Sequence, residues 1–187
     1  MKNLKTIAIA LLVTVSTITS AQTKKINAEK SKINWVGKKV TGQHEGTINL
    51  KEGALVFKAE KLAGGTFTVD MPSLTATDLT GDYLGKLNGH LKSLDFFGTD
   101  KFPTSTLVFK TIADKGNNVY TVTADLTIKD KKNPVTFDIT IKGSSAVTTL
   151  KIDRTKYDIK YGSGSFFENL GDKTISDNFD LTVNLEF

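Results

Sequence analysis

The sequence contains no cysteine among its 187 residues, and this absence excludes several ways of stabilising and using a protein. The chain has no disulfide bond, no thiolate nucleophile and no lipid-modified cysteine that would anchor it to a membrane. A domain of this length buries most of its apolar surface on folding and needs no covalent cross-links. The composition therefore predicts one globular domain held together by an ordinary hydrophobic core.

The signatures of common enzyme classes are also missing. The chain has no G-x-S-x-G elbow, no phosphate-binding glycine loop and no H-E-x-x-H zinc motif. Its two histidines, His44 and His90, lie far apart in the sequence and lack the spacing of metal ligands. We expect a protein that is not an enzyme and that has no catalytic residues, no bound metal and no cofactor. A metal-dependent enzyme, with both histidines brought together by the fold, is the least favoured alternative.

No basic stripe runs through the sequence, although its formal net charge is +5. Lysines are scattered among acidic residues and are adjacent only at Lys24-Lys25, Lys38-Lys39 and Lys131-Lys132. A nucleic-acid interface requires a basic face with aromatic platforms, so we expect no nucleic-acid partner. Transient contact with an anionic membrane surface is compatible with the charge, and the oligomeric state, including a homodimer, is left open.

Long apolar runs are absent apart from one near the start of the chain. Lys2 and Lys5 precede the apolar run Ile7–Val15, and Thr19-Ser20-Ala21 supplies small residues for cleavage. The run is short for a membrane-spanning helix, so the pattern predicts a secretory signal peptide over residues 1–21. The mature domain is then 22–187. We expect a soluble exported protein, located in the periplasm, with secretion as the alternative.

Most of the remaining chain alternates apolar and polar residues with the period of a half-buried β-strand. Glu52-Gly53 predicts a hairpin turn, and Gln22–Lys25 reads as a polar tail. The clearest pattern is a predicted hairpin whose apolar positions are Tyr120, Val122, Ala124, Leu126, Ile128, Val135, Phe137, Ile139 and Ile141. About eight antiparallel strands predict an all-β domain, either a closed barrel or a sandwich.

One segment, Gly81 to Pro103, breaks this period. Four leucines recur at the spacing of one helical face, after Asp82 as a candidate N-cap: Leu84, Leu87, Leu91 and Leu94. Phe96, Phe97 and Phe102 follow them. A short apolar helix in a β-protein is expected to cover one end of the sheet, either as a plug on a packed interior or as a lid over a lipid-filled one.

Three motifs carry a resemblance to a known family. The strongest is Gly89-His90-Leu91-Lys92-Ser93 followed by Asp95-Phe96-Phe97 and Lys101-Phe102-Pro103, which is similar to the YceI-like signature H-L-K-S-x-D-F-F … K-F/Y-P. The others are Ala124–Lys129 leading to Pro134-Val135, and Asp153-Arg154 followed by Tyr157. The chain departs from the family at Ala124 and Asp130, where many relatives have glycine, and in the first hairpin around Lys38 to Gly46.

The resemblance implies a lipocalin-like antiparallel β-barrel of about eight strands, with the short helical insert covering one end. It also implies that the interior binds a long isoprenoid lipid, such as a quinone tail or a polyprenyl chain, for storage or transport, without established catalysis. An exported stress or surface protein that acts through protein contacts without a ligand is the alternative.

On this view the ligand is bound by apolar residues of the inward strand faces and of the helical segment. The residues from the strands would line the tail, and those from the segment would close over it. If instead they pack on one another, the interior contains no cavity. The candidate ligand-binding residues are Trp35, Phe67, Val69, Leu84, Leu87, Leu91, Phe96, Phe97, Phe102, Leu126, Ile128, Phe137 and Ile139.

Overall fold

The structure, a computed structural model, describes residues 20–187. The predicted signal peptide, apart from its last two residues, lies outside the described residues. The elements in chain order are β1 (Ala21–Lys25), β2 (Lys32–Lys39), β3 (Gly42–Lys58), β4 (Lys61–Ala76), α1 (Gly81–Lys92), β5 (Thr104–Asp114), β6 (Val119–Ile128), β7 (Lys131–Lys142), β8 (Ser145–Asp153) and β9 (Ile175–Glu186). Short 3₁₀ turns at Arg154–Tyr157 and Gly171–Lys173 interrupt the connection between β8 and β9.

The strands form one antiparallel sheet that closes on itself. The hydrogen-bonded order is β1-β3-β2-β9-β8-β7-β6-β5-β4, and β3 also pairs with β4. Strands β2 to β9 therefore make an eight-stranded closed barrel, and β1 pairs with the last part of β3. The predicted all-β barrel with one short helix is confirmed, and the barrel alternative is the correct one.

Strict alternation in β6 shows why these sequences form barrel strands. Every second side chain of β6 is buried, from Tyr120 to Ile128, and the residues between them are half-buried. The tight turn into β7 places Lys129 and Asp130 at φ 48° and 57°, the left-handed backbone of a type I′ hairpin. Although Asp130 replaces the glycine common in relatives, the two-residue turn is kept.

Two local predictions in the first strands were wrong. Glu52-Gly53 is not a turn but part of continuous β3, where the register with β4 shifts between Leu50 and Glu52. A Cβ on Gly53 would lie 2.6 Å from the Phe67 ring, so this glycine allows close packing instead of a reversal. The predicted polar tail at Gln22–Lys25 is strand β1, because its backbone finds hydrogen-bonding partners on the free edge of β3.

The two long connections of the barrel, β4–β5 and β8–β9, lie at the same end. Antiparallel order places the β2–β3, β4–β5, β6–β7 and β8–β9 connections at the same end, which we call the helical end. Here α1 lies against the end of β4, where the Asn88 side chain accepts a hydrogen bond from the Ala76 N–H and donates one to Thr75 Oγ1, both at 2.9 Å. No helix among residues 20–187 combines the length and hydropathy needed to cross a membrane.

The structure corrects the predicted start and end of α1. The helix begins after Thr80, whose side chain makes no capping hydrogen bond, and Asp82 lies within the first turn instead of at the N-cap. Leu94 lies beyond the helix and is 68% exposed. The helical spacing of the leucines therefore continues one step past the helix itself.

Candidate functional site: an apolar cavity

The interior of the barrel is hollow. Its cavity has a volume of about 190 Å³, counted as the space open to the centre of a water molecule, and the empty space including the mouth is about 1330 Å³. A single buried water molecule needs only about 10–15 Å³ on the first measure, and close-packed interiors leave few voids larger than that. The alternative in which the inward side chains pack on one another and leave no cavity is therefore not what the structure shows.

Inward-pointing side chains of the strands form nearly all of the cavity wall. Strand β9 illustrates the pattern, since every second residue from Phe179 to Leu185 lines the cavity. The same alternation supplies Phe67, Val69 and Met71 from β4. The hydrophobic residues that point inward therefore enclose the empty space as well as packing on one another.

The cavity brings together ten of the thirteen residues proposed from the sequence: Trp35, Phe67, Val69, Leu91, Phe96, Phe97, Leu126, Ile128, Phe137 and Ile139. Three predicted residues lie outside its lining. Leu84 and Leu87 are half-buried against the core, but at about 1.5 Å per residue they lie roughly 10 and 6 Å further along α1 than Leu91. Phe102 lies outside the core cluster as well, with Lys101 Nζ 5.3 Å from its ring centroid.

Sequence reasoning missed more than half of the lining. Much of it comes from strands that were assigned correctly but whose inward faces were not connected with the site. Alternation along β9 was the signal that could have identified several of these positions. The missed apolar residues are Ile33, Ile48, Leu50, Met71, Leu74, Leu107, Phe109, Leu150, Ile175, Phe179, Leu181, Val183 and Leu185.

An aromatic cluster borders the cavity at the helical end. Phe96 is 7% exposed and contacts both His90, with ring centroids 4.9 Å apart, and Tyr161, at 5.7 Å. Phe97 packs edge-on against Phe179 of β9 at 6.2 Å. The residues that follow α1 thus connect the helical segment to the opposite side of the barrel.

Most polar atoms around the cavity already have partners. Ser105 Oγ donates to the Thr127 carbonyl at 2.8 Å, and Thr148 Oγ1 donates to the Asp138 carbonyl at 2.7 Å. Because these hydroxyl protons are used by the backbone, the wall presents little that would hold water in place. The middle of the cavity therefore suits a hydrocarbon chain.

The cavity is also lined by one buried charged side chain, Arg154, which is only 3% exposed. Its Nε donates to the Ser176 carbonyl at 2.9 Å, and its two terminal nitrogens donate to the Ile159 and Ile175 carbonyls at 2.8 and 3.0 Å. Asp177 Oδ1 lies 3.7 Å from one terminal nitrogen. Through these contacts Arg154 holds the segment that follows β8 against the start of β9.

Burial and their mutual attraction shift the pKa values of Arg154 and Asp177. Burial lowers the pKa of Arg154 from its ordinary value, and the negative charges of Asp177 and Asp153 partly oppose this. Burial alone would raise the pKa of Asp177, but neighbouring serine hydroxyls and the Arg154 charge hold it below its usual range. Both groups are therefore charged at neutral pH, and together they carry no net charge.

The two histidines lie in different parts of the helical end. His44 Nδ1 is 2.8 Å from Asp78 Oδ2, whereas His90 stacks on the aromatic cluster with its Nε2 4.0 Å from Asp95. Across residues 20–187, no three side chains of histidine, cysteine, aspartate or glutamate are grouped as metal ligands would be. The fold therefore does not join the histidines into the metal site considered from the sequence.

Exposed large hydrophobic side chains are concentrated at the helical end. Seven are exposed in the part of the chain that the structure describes, and Val108 is the one that lies on the side of the barrel. The other six form what we call the apolar rim, which consists of Val40, Tyr83, Leu94, Tyr161, Phe166 and Phe167. The rim surrounds the end at which the helical segment borders the cavity.

Comparison with known proteins agrees with the barrel and the motifs. The family model described as the YceI-like domain matches residues 25–187. The chain belongs to the YceI-like family. Among solved structures, this YceI-like protein is similar to BcnA of Burkholderia cenocepacia, with 26% identity, a TM-score of 0.64, and coverage of 86% of this chain and 98% of that one.

Two further comparisons show the range of the family. A polyisoprenoid-binding domain from Saccharophagus degradans, implicated in plant cell wall breakdown, has the same fold, with 15% identity, a TM-score of 0.56 and coverage of 90% and 98% of the two chains. A UPF0312 protein of Shewanella denitrificans is 33% identical over 91 residues, or 49% of this chain and 46% of its own length. The YceI-like chain thus spans about half the length of the curated relatives it matches.

Proposed function

We propose that this YceI-like protein is a binding protein, not an enzyme, that holds one long isoprenoid-type lipid in the barrel for storage or transport. The observation that carries the proposal is the apolar cavity, which inward-pointing side chains of the strands enclose and which Leu91, Phe96 and Phe97 border at the helical end. The similar fold of a domain described as polyisoprenoid-binding supports this choice among apolar ligands. The ten predicted residues around the cavity are the proposed contacts of the lipid tail.

The energetics of such a ligand must be referred to the membrane from which it comes. Removing a tail of ~40 carbons from water would give roughly 30 kcal/mol at about 0.8 kcal/mol per carbon. This exceeds the practical limit of about 18–21 kcal/mol for non-covalent binding. In a bilayer the tail is already dry, so transfer into the barrel is nearly balanced, and this balance allows release as well as uptake.

We propose that the apolar rim contacts the membrane during lipid exchange. The rim surrounds the cavity, and lysines lie over several aromatic rings of the helical end, including Lys160 Nζ at 5.0 Å from Phe166 and Lys86 Nζ at 5.8 Å from Tyr83. Aromatic rings beside long basic side chains suit the boundary between headgroups and hydrocarbon. Replacing Phe166 and Phe167 by serine is expected to weaken flotation with vesicles, whereas Val108→Ser is expected to leave it unchanged; equal flotation would refute the rim's role.

We propose that residues 1–21, whose sequence predicts a secretory signal peptide, direct export and leave a mature domain at 22–187. We place the protein in the periplasm, with secretion as the alternative. Fractionation of cells after expression with and without the leader tests this, because loss of export is expected only without it. Export of the leaderless chain would contradict the assignment.

Mass spectrometry after organic extraction of the purified protein tests the lipid directly. A prenyl lipid is expected from the wild type, and none from Leu126→Asp, because the new carboxylate would face the hydrocarbon wall. Val108→Asp places the same charge on the outside of the barrel, where Val108 is 42% exposed, and is the matched control. Circular dichroism must show that both variants are folded. Retained lipid in folded Leu126→Asp would refute the assigned lining, and absence of lipid from the reloaded wild type would refute the proposed function.

A further inference from the structure

The strongest unassigned feature of the cavity is the unused hydrogen-bonding capacity of Arg154. A guanidinium group has five N–H donors, and three of those on Arg154 donate to backbone carbonyls. Within residues 20–187 the other two N–H groups make no hydrogen bond, although Asp177 Oδ1 lies 3.7 Å from one terminal nitrogen, and the side chain is 3% exposed. A buried donor without an acceptor is costly, so a ligand atom that accepts from Arg154 gains more here than it would in water.

The position of the guanidinium group favours contact with one end of a ligand. Its Cζ lies 5.8 Å from the centroid of the Phe96 ring, which itself lines the cavity at the helical end. Among the other buried polar side chains of the lining, the Ser105 and Thr148 hydroxyls donate to the backbone. Lys38 also borders the cavity, but its side chain is 53% exposed and paired with Asp180 at 2.8 Å. Ser176 and Asn178 border the cavity as well, but Ser176 Oγ accepts a hydrogen bond from the Asn178 N–H, and Asn178 is exposed. Arg154 is therefore the buried charged group that would meet a polar head as the tail extends into the barrel.

The charge of Asp177 decides which kind of head would fit. Its carboxylate lies 3.7 Å from the Arg154 guanidinium, and its Oδ1 is buried and accepts no hydrogen bond from the described residues. An anionic head bound to Arg154 would lie close to this carboxylate, and the two negative charges would repel each other. A neutral oxygen acceptor makes the same hydrogen bonds to Arg154 without that repulsion.

We propose that Arg154 is a headgroup-binding residue that selects a long apolar chain ending in a neutral oxygen acceptor, such as the carbonyl of a quinone, over the same chain ending in a diphosphate. This selection rests on the proposed function, since it requires the cavity to hold the chain. The Asp177 carboxylate acts as the element that disfavours anionic heads.

A ligand series on the wild-type protein tests the selection without any mutation. Three chains of matched prenyl length are compared by displacement of a fluorescent apolar probe: a prenylquinone, a hydrocarbon without a head, and a prenyl diphosphate. The quinone is expected to bind about tenfold more tightly than the hydrocarbon, since a hydrogen bond to a charged group is worth about one decade or more. The diphosphate is expected to bind less tightly than the quinone.

Variants then assign the selection to particular residues. In Arg154→Met the ratio of quinone affinity to hydrocarbon affinity is expected to fall to about one. In the control Lys151→Met, which changes a 70% exposed lysine on β8, the ratio is expected to stay as in the wild type. In Asp177→Asn the diphosphate is expected to gain affinity relative to the quinone. If Arg154→Met does not fold, the ligand series on the wild type and the Asp177→Asn variant still test the selection of a neutral head over a diphosphate.

Different results would overturn the role of Arg154 and the proposed function. Equal binding of quinone and hydrocarbon by the wild type, or tighter binding of the diphosphate, overturns the role of Arg154 and leaves the proposed function standing. Failure of all three chains to displace the probe overturns the proposed function and the selection together.

Discussion

An empty cavity makes the ligand-free barrel less stable than a packed domain of the same size. At about 24 cal/mol per Å³, a cavity of about 190 Å³ corresponds to a loss of about 4–5 kcal/mol in the free energy of unfolding. A long apolar ligand that fills it restores part of this loss, reduced by the conformational freedom that the ligand gives up. For a domain of this size, we expect saturation with ligand to raise Tm by roughly 5–15 °C.

Thermal unfolding followed by circular dichroism measures this effect on protein extracted with organic solvent and then reloaded. The matched variant is Leu126→Trp, in which a larger side chain occupies the cavity from near the end of β6. We expect its Tm to respond little to ligand, because the space has been taken. An unchanged Tm for the reloaded wild type, or an equal response of the variant, would refute the link between the empty space and binding.

Two further predictions concern the stability of the barrel. Gly46→Ala should lower the free energy of unfolding in urea by about 2–4 kcal/mol, because its Cβ would clash with the Thr75 carbonyl oxygen and lie 2.5 Å from the Trp35 ring. Gly37→Ala, whose Cβ would have no atom within 4 Å, should cost less than about 1 kcal/mol, and equal losses would contradict this. Tyr157→Phe should stabilise the barrel by about 1 kcal/mol at neutral pH, since the Tyr157 hydroxyl is buried and finds no partner among the described residues. Burial, and to a smaller extent the charge of Asp153, raises the pKa of Tyr157 to about 12. The hydroxyl ionises more easily in the unfolded chain, so the wild type should lose stability as the pH rises from about 10 towards 12. Urea unfolding at alkaline pH should show this loss for the wild type and not for Tyr157→Phe.

The strand pattern was predictable because barrel strands with one buried face follow a period of two. Alternation in β6 and β9 identified these strands and their apolar faces. Alternation alone left a barrel and a sandwich open, since both bury one face of each strand. The resemblance to the family favoured the barrel, and the pairing of β3 with β4 closes it.

The cavity itself could not be derived from the same pattern. Whether inward side chains meet across a barrel depends on strand tilt and stagger, which no local sequence feature reports. The helical period likewise identified one face of α1, but the place where Asn88 attaches the helix to β4 determines that Leu91, and not Leu84, reaches the cavity.

Arg154 was missed for a related reason. Within the sequence it is one basic residue in a weak motif, and nothing indicates that it points inward. Its direction follows from the 3₁₀ turn after β8, which Asp153 caps by accepting a hydrogen bond from the Thr155 N–H. The Glu52-Gly53 prediction failed because glycine permits close packing as well as turns, and the local sequence does not distinguish these uses.

The pairing of β1 fixes where a tether can be attached. Ala21 lies opposite Lys58, beside the β3–β4 turn, and Phe187 is hydrogen-bonded to Ser144 in the β7–β8 turn. Both attachment points are therefore at the end of the barrel opposite the helical end, away from Phe96 and Arg154. A sensor chip that captures the protein by a tag at either position would hold the helical end towards the flowing sample, which is the orientation needed to test the proposed lipid uptake in real time.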